Sequence, residues 1–243
     1  MRKSSSLVLL IALLTLSVPW RVMADTPKDW TDQRLIAHAM GGIDGKTYTN
    51  CYEAFTSNYG KGFRVFEVDL QFTADGQLVA RHDWSPGMYK HLGQERPAVE
   101  NHQPLSWMTF KELPIHKQFQ PLDIDDILQL MGLFPDVYLV TDTKNLQTAT
   151  IQKQFRLIAD KLIQYDDRSI GRRIVPQLYN RKMYDLLEEI YPFDSYIYTL
   201  YQSKDTDKQV LNFVRSTPKV KAVTMDGGRA SKTFTGALRA HDQ

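Results

Sequence analysis

Hydrophobic and polar positions alternate most regularly between Arg64 and Phe72. There Phe66, Val68, Leu70 and Phe72 interleave with Val65, Glu67, Asp69 and Gln71. A period of two marks an extended strand with two unlike faces. The same reading predicts strands at Leu35 to Met40, stopped by Gly41-Gly42, and at Leu78 to His82, entered through the tight turn Ala74-Asp75-Gly76. Further strands are predicted at Val137 to Thr143, Ile174 to Tyr179, Tyr196 to Leu200 and Ala222 to Met225. Helical spacing lies between them. Ile124, Ile127, Leu128 and Met131 share a side, as do Ile151, Phe155, Ile158 and Leu162, then Met183, Leu186, Leu187 and Ile190. Shorter helices are predicted near Val210 to Val214 and Phe234 to Ala240. Asn50 is placed to cap a short helix through Phe55 to Tyr59, which Gly60 ends. Residues 83–120 are polar and aromatic with little periodicity, a stretch longer than compact domains use for mere connection.

About seven strands alternating with helices predict an α/β fold: a parallel sheet with helices outside. An open doubly wound sheet and a (β/α)8 TIM barrel both fit the pattern. No eighth strand is visible before Gln243, so a barrel is expected to lack its last strand.

The first 24 residues stand apart. Arg2 and Lys3 precede the 12-residue apolar run Leu7 to Val18, and Val22-Met23-Ala24 precedes Asp25. This is the layout of a secretory signal peptide, and the run is short for a membrane span of about 20 residues. The expectation is an exported protein, periplasmic or secreted, with an uncleaved membrane anchor as the alternative. Residues 25–243 then form one domain, a length that a single core can serve. Without the leader the chain carries 27 basic and 28 acidic side chains, which gives no reason to expect nucleic-acid binding. Membrane contact is expected only through the N-terminal segment. The single Cys51 has no partner for an internal disulfide.

Candidate chemistry gathers on the strand ends. Glu67 and Asp69 share one strand face, opposite the apolar Phe66, Val68 and Leu70. In a barrel they point inward near the C-terminal mouth, where active groups sit. Two like charges about 5 Å apart repel by roughly 3 kcal/mol at an effective dielectric near 20, and a hard divalent cation removes that penalty. A solvated pair, or one neutralised by Arg64 or Lys144, is the plainer account. His38 and His82 end the strands on either side. Two histidines near a cation suit phosphodiester cleavage, one taking a proton from the attacking oxygen and the other protonating the leaving alkoxide. Asp142 and Lys144 repeat the i, i+2 arrangement on a later strand, as a further ligand and a phosphate contact or as a local ion pair. The loop Gly41 to Gly45 offers backbone N–H groups to an anion.

Together these residues resemble the glycerophosphodiester phosphodiesterase family. His38 stands where that family opens with His-Arg-Gly. Asn50 and Ala54-Phe55 match its Glu-Asn-Thr-x-x-Ala-Phe, and Glu67-Val68-Asp69 its Glu-x-Asp. Thr73 to Gly76 matches Thr-x-Asp-Gly, His82-Asp83 its His-Asp, and Asp142-Thr143-Lys144 its Glu-x-Lys. The resemblance implies a (β/α)8 barrel and a Ca²⁺ or Mg²⁺ ion. It also implies hydrolysis of a glycerophosphodiester, free or lipid-derived, to an alcohol and glycerol 3-phosphate. It makes His38 and His82 the acid–base pair, Glu67, Asp69 and Asp142 the metal ligands, and Lys144 and Asn50 substrate contacts. It places the 83–120 stretch at the substrate entrance. The chain departs from the pattern where Ala39-Met40 replace Arg-Gly, where Thr49 and Cys51 flank Asn50, and where Asp142 replaces Glu. Phosphatidylinositol phospholipases C and sphingomyelinases D share this two-histidine plan, so a lyase ending at a cyclic phosphate is a second expectation. A non-catalytic phospholipid- or phosphate-binding module is a third.

Overall fold

The computed structural model describes residues 29–95 and 103–240. The expected signal peptide lies outside them, and among the described residues no helix is long and apolar enough to cross a membrane. Six strands form one sheet: β1 (Val65–Phe72), β2 (Leu78–Ala80), β3 (Tyr138–Asp142), β4 (Ile174–Leu178), β5 (Tyr196–Thr199) and β6 (Val220–Thr224). Their spatial order is β2-β1-β3-β4-β5-β6, and every pair beyond β1 and β2 is parallel. A doubly wound sheet reverses its strand order at a switch point, whereas a barrel keeps sequence order around the axis. From β1 onward the parallel strands keep sequence order, which decides for the barrel. Helices α1 (Tyr52–Gly60), α4 (Ile124–Leu133), α5 (Thr148–Tyr165), α6 (Arg168–Arg172), α7 (Arg181–Ile190), α8 (Asp207–Ser216) and α9 (Lys232–Arg239) connect or follow these strands.

Two strands differ from expectation. Leu35 to Met40 contributes a single parallel bridge, Ala37 to Phe66, and then coils into a tight 3-10 turn at His38–Met40. Leu78 to His82 yields β2, which runs antiparallel to β1 with Leu70 opposite Ala80. The turn at Thr73 to Gln77 is too short for a parallel crossover, which needs a dozen or more residues. The hairpin is thus an excursion from the barrel rather than one of its staves. The parallel series among the described residues has six positions: the Ala37 bridge, β1, β3, β4, β5 and β6. No strand lies on the outer edge of β6 among the described residues.

The two faces of each strand sort by chemistry. Phe66, Val68, Leu70, Leu139, Ile174, Tyr196 and Tyr198 pack outward into the main core with Phe55, Ile151, Phe155, Met183 and Leu187 from the helices. Val65, Val140, Val175 and Ile197 point inward and form the floor, closed by Trp30. The Trp30 indole N–H donates to Ser195 Oγ at 2.9 Å. Above that floor the inward positions turn polar: Glu67, Asp69, Asp142, Gln177, Thr199 and Thr224. Thr224 Oγ1 lies 3.0 Å from Thr199 Oγ1, which donates to Gln177 Oε1 at 2.7 Å.

The described parts of the 83–120 stretch carry helices that its pattern did not suggest. These are α2 (Pro86–His91) and α3 (Trp107–Lys111), capped by Ser85 and Ser106. A separate small core of Val79, Trp84, Tyr89, Leu105 and Phe110 supports them. Helices of five or six residues are too short to print a 3.6-residue period. Arg81 also belongs to this cluster. Its guanidinium lies 4.7 Å from the Trp84 ring and 4.4 Å from the Tyr89 ring, and donates to Asp83 O and Gln94 Oε1. Burial pushes its pKa down to about 10. Arg81 thus anchors the excursion.

Candidate active site

The edge of β1 away from β3 is shared by two segments, and the site lies where they meet. Along the lower half Ala37 N–H donates to Val65 O at 2.9 Å and Glu67 N–H to Ala37 O at 3.0 Å. Along the upper half Arg81 N–H donates to Asp69 O at 2.9 Å, leading into β2. His38 leaves this edge just after Ala37, and His82 just beyond Arg81. Both histidines are therefore delivered to the stretch of β1 that carries Glu67 and Asp69.

His38 sits in the 3-10 turn, where Ala39 (φ 50°) and Met40 (φ 65°) are left-handed. Gly41 N–H closes the turn onto His38 O at 2.8 Å. Gly41 has φ 90°, and a β-carbon there would fall 2.4 Å from the Asn58 amide nitrogen. That amide donates to the carbonyls of Gly42 and Ala54 at 3.0 and 2.7 Å, tying the turn to α1. The turn aims Ala39 N–H at Glu67 Oε2, 2.6 Å away, and sets His38 Nε2 3.9 Å from the same oxygen. The glycine loop itself folds into a closed hairpin, Ile43 and Lys46 exchanging backbone hydrogen bonds at 3.0 and 2.7 Å.

The register of β1 and β3 puts Asp69 directly opposite Asp142. One carboxylate oxygen from each of Glu67, Asp69 and Asp142 lies within 4.8 Å of the others, and all three side chains are buried. The shorter stem of Asp142 therefore reaches the cluster. Lys144 Nζ approaches Asp69 Oδ1 at 2.7 Å and Asp142 Oδ2 at 3.5 Å. Arg64 is spent elsewhere, on Asp136 at 2.6 Å. One ammonium against three carboxylates leaves the pocket short of positive charge. Burial, and then the neighbouring Asp69, push the Glu67 pKa well up. Burial also raises that of Asp142, against the hydrogen bond from Tyr179 and the Lys144 charge. Burial alone would lower Lys144, but Asp69, Asp142 and Glu67 outweigh it and hold the ammonium above its usual value. Among the described residues Glu67 Oε1 is buried without a hydrogen-bond partner, and Asp69 Oδ1 has the Lys144 ammonium as its ion-pair partner. An all-oxygen set with an orphaned buried oxygen and excess negative charge fits a hard divalent cation.

Asn50 has a different place from the one expected of it. It is fully buried, and both ends of its amide are committed to Asp69. Its Nδ2 donates to Asp69 Oδ2 at 2.9 Å, while Asp69 N–H donates to Asn50 Oδ1 at 3.0 Å. It holds the carboxylate in place and has no face left for substrate. Nor does it cap α1. That cap is Cys51, whose Sγ accepts from Ala54 N–H at 3.4 Å.

Two supporting residues, Asp83 of the His-Asp pair and Tyr179, receive no role from the sequence alone. Asp83 Oδ2 lies 2.7 Å from His82 Nδ1, and its Oδ1 accepts from Ser85 N–H at 2.7 Å. Burial alone would raise the Asp83 pKa, but these hydrogen bonds hold it below the usual range. An ionised Asp83 keeps a proton on Nδ1 and leaves His82 Nε2 free for chemistry. Tyr179 donates its hydroxyl to Asp142 Oδ1. Burial, then Asp142, push its pKa up, so it stays a phenol. Strand parity was the available signal, since Tyr179 follows the inward Gln177 by two residues.

The family description Glycerophosphoryl diester phosphodiesterase matches residues 42–227. The chain belongs to this family. It is accordingly a hydrolase of the glycerophosphodiester phosphodiesterase class, and its fold is the TIM barrel. The match takes in Asn50, Glu67, Asp69, His82, Asp142 and Lys144, and begins four residues after His38. Solved structures of the same fold include a candidate glycerophosphodiester phosphodiesterase from Galdieria sulphuraria, with TM-score 0.63 and 16% identity over 85% of this chain and 79% of that one. The glycerophosphodiester phosphodiesterase of Thermotoga maritima aligns with TM-score 0.59 and 16% identity, over 85% and 80%. A phosphodiesterase from Oleispira antarctica, in complex with the product sn-glycerol-3-phosphate, aligns with TM-score 0.54 and 13% identity, over 85% and 88%. No curated protein sequence matches the chain.

Proposed function

We propose that this enzyme hydrolyses glycerophosphodiesters, free or derived from lipids, to glycerol 3-phosphate and an alcohol. One divalent cation, Ca²⁺ or Mg²⁺, would be held by Glu67, Asp69 and Asp142. The observation that carries this reading is the convergence of three buried carboxylates within 4.8 Å at the barrel mouth, beside two histidines. The product bound in the Oleispira antarctica phosphodiesterase supports the choice of substrate. When bound, the cation supplies charge stabilisation at the phosphoryl oxygens.

The remaining work belongs to the chain. Lys144, held charged by its neighbours, offers a second positive centre to the phosphate. His82 presents Nε2, its tautomer set by Asp83, and His38 presents its exposed ring beside Glu67. One imidazole removes the proton of the attacking water, and the other protonates the leaving alkoxide. The leader-like first 24 residues support export, and glycerophosphodiester breakdown fits a role in lipid and glycerol metabolism. The test is turnover of glycerophosphocholine by the purified protein with Ca²⁺, Mg²⁺ or chelator, with the products identified. Metal-dependent release of glycerol 3-phosphate, abolished in His38→Ala and His82→Ala, is expected. Full activity in chelator or in either variant would refute the assignment, and a cyclic phosphate as the final product would make the enzyme a lyase.

A further inference from the structure

Tyr48 stands where three histidines meet. Its ring centroid lies 4.9 Å from that of His38, 5.2 Å from His82 and 5.6 Å from His91. The interplanar angles are 88°, 89° and 82°, the edge-to-face arrangement that ring quadrupoles favour. The backbone is unusual too. Tyr48 has φ 57°, a left-handed conformation uncommon for any residue but glycine and costly for a bulky one. Its neighbours enforce it. His91 Nε2 donates to Thr47 O at 3.0 Å on one side, and Asn50 N–H donates to Ala39 O at 3.1 Å on the other. Tyr48 is also partly exposed, so it is no ordinary core residue.

The two histidines differ in what else holds them. His82 has Asp83 at 2.7 Å. The His38 ring makes no hydrogen bond among the described residues. Its side chain is 55% exposed, and its nearest charged partner, Glu67 Oε2, is 3.9 Å away. Tyr48 is therefore the chief constraint on the plane of the His38 ring.

We propose that Tyr48 is a positioning residue for the histidine pair: its ring is the spacer that sets the separation of His38 from His82 and orients His38. This rests on the reading of those histidines as acid and base. Tyr48 acts through them and contributes no proton of its own. Small displacements of a reacting group cost up to about 100-fold in rate.

The experiment compares wild type, Tyr48→Phe, Tyr48→Ala, Tyr48→Gly and His82→Ala on glycerophosphocholine with Ca²⁺ or Mg²⁺. Alongside, the His38 ring-proton resonances are recorded by NMR at one fixed pH. Tyr48→Phe keeps the ring and should retain kcat within about twofold. Tyr48→Ala and Tyr48→Gly should lose roughly 10- to 100-fold in kcat with little change in KM. Their His38 resonances should move more than those of His82. Glycine accepts the left-handed backbone, so Tyr48→Gly separates loss of the ring from loss of the fold. Wild-type kcat in Tyr48→Gly overturns the proposal. So does an equal loss in Tyr48→Phe, which would make the hydroxyl a direct participant, or a loss confined to KM. Should wild type show no turnover, or His82→Ala retain it, the functional reading fails, while unmoved His38 resonances in Tyr48→Gly would refute the spacer by themselves.

Discussion

Replacing Glu67 by Gln should stabilise the cation-free enzyme while disabling it. One oxygen of Glu67 lies within 4.8 Å of oxygens on both Asp69 and Asp142. Each such contact between ionised groups costs about 3.5 kcal/mol at an effective dielectric near 20. Attraction to Lys144 offsets about one of the two, and weakening the charge-assisted bond from Ala39 N–H returns about 1 kcal/mol. The net gain for Glu67→Gln is about 2 kcal/mol, or about 4–8 °C in Tm for a chain of this size. The sign depends on pH. Glu67 has a folded-state pKa raised above its unfolded value of about 4.3, so in that window the folded state holds the extra proton. Wild-type stability therefore falls as pH rises from about 4.3 through the raised value, whereas Gln has no proton to lose. The advantage of Glu67→Gln should be near zero at acid pH and larger at pH 8 than at pH 5. Adding Ca²⁺ or Mg²⁺ at about 100 times Kd should stabilise wild type by about 2.7 kcal/mol and the variant far less, cancelling or reversing the order. Thermal unfolding of both proteins in chelator and in cation, at pH 5 and pH 8, reads all of this. A variant less stable than wild type in chelator at pH 8, or an advantage that ignores pH, would refute the reasoning.

Asn50→Ala strips Asp69 of two buried hydrogen bonds and should cost about 2–4 kcal/mol by urea unfolding, with cation affinity falling about 10- to 100-fold by calorimetry. Trp30→Ala opens the barrel floor and removes the bond to Ser195, and should cost about 3–5 kcal/mol. Because that floor is the stability end of the barrel, its cation affinity and kcat, measured below the unfolding transition, should match wild type.

The inward face of β1 was legible because Glu67 and Asp69 interrupt a strictly alternating apolar strand, and the outward Phe66, Val68 and Leu70 do enter the helical core. Asp142 and Lys144 were legible by the same parity. The direction of β2 was also written in the chain, in the short turn Ala74-Asp75-Gly76, but an apolar run of five residues carries no sign of its own direction. The 3-10 turn at His38 was not legible. It depends on two consecutive non-glycine residues with positive φ, Ala39 and Met40, and no residue type advertises that. Asn50 illustrates a different limit. An asparagine ahead of a helix is a sound N-cap candidate, yet a buried carboxylate 19 residues away takes its amide and leaves the cap to a cysteine thiol. Long-range demand outweighed a local preference worth about 1 kcal/mol.

The divided edge of β1 gives a physical reason for the excursion. A regular barrel strand pairs along the whole length of each edge with one neighbour, and on this edge that neighbour would have continued past Ala37 beside Asp69. Here the chain stops pairing at Glu67 and turns away, and β2 returns in the opposite sense to satisfy the rest of the edge from Asp69 upward. Few backbone groups of β1 are left unpaired by the exchange, so its cost is small. What it achieves is convergence: one histidine departs upward from the lower segment, the other emerges from the end of the upper one, and both rings meet the ring of Tyr48. Two uninterrupted strands flanking β1 would lie on opposite sides of it, and their terminal histidines would be separated by the width of the strand between them. The tight contact of Tyr48 with both rings is available only because His38 and His82 lie on the same side of β1.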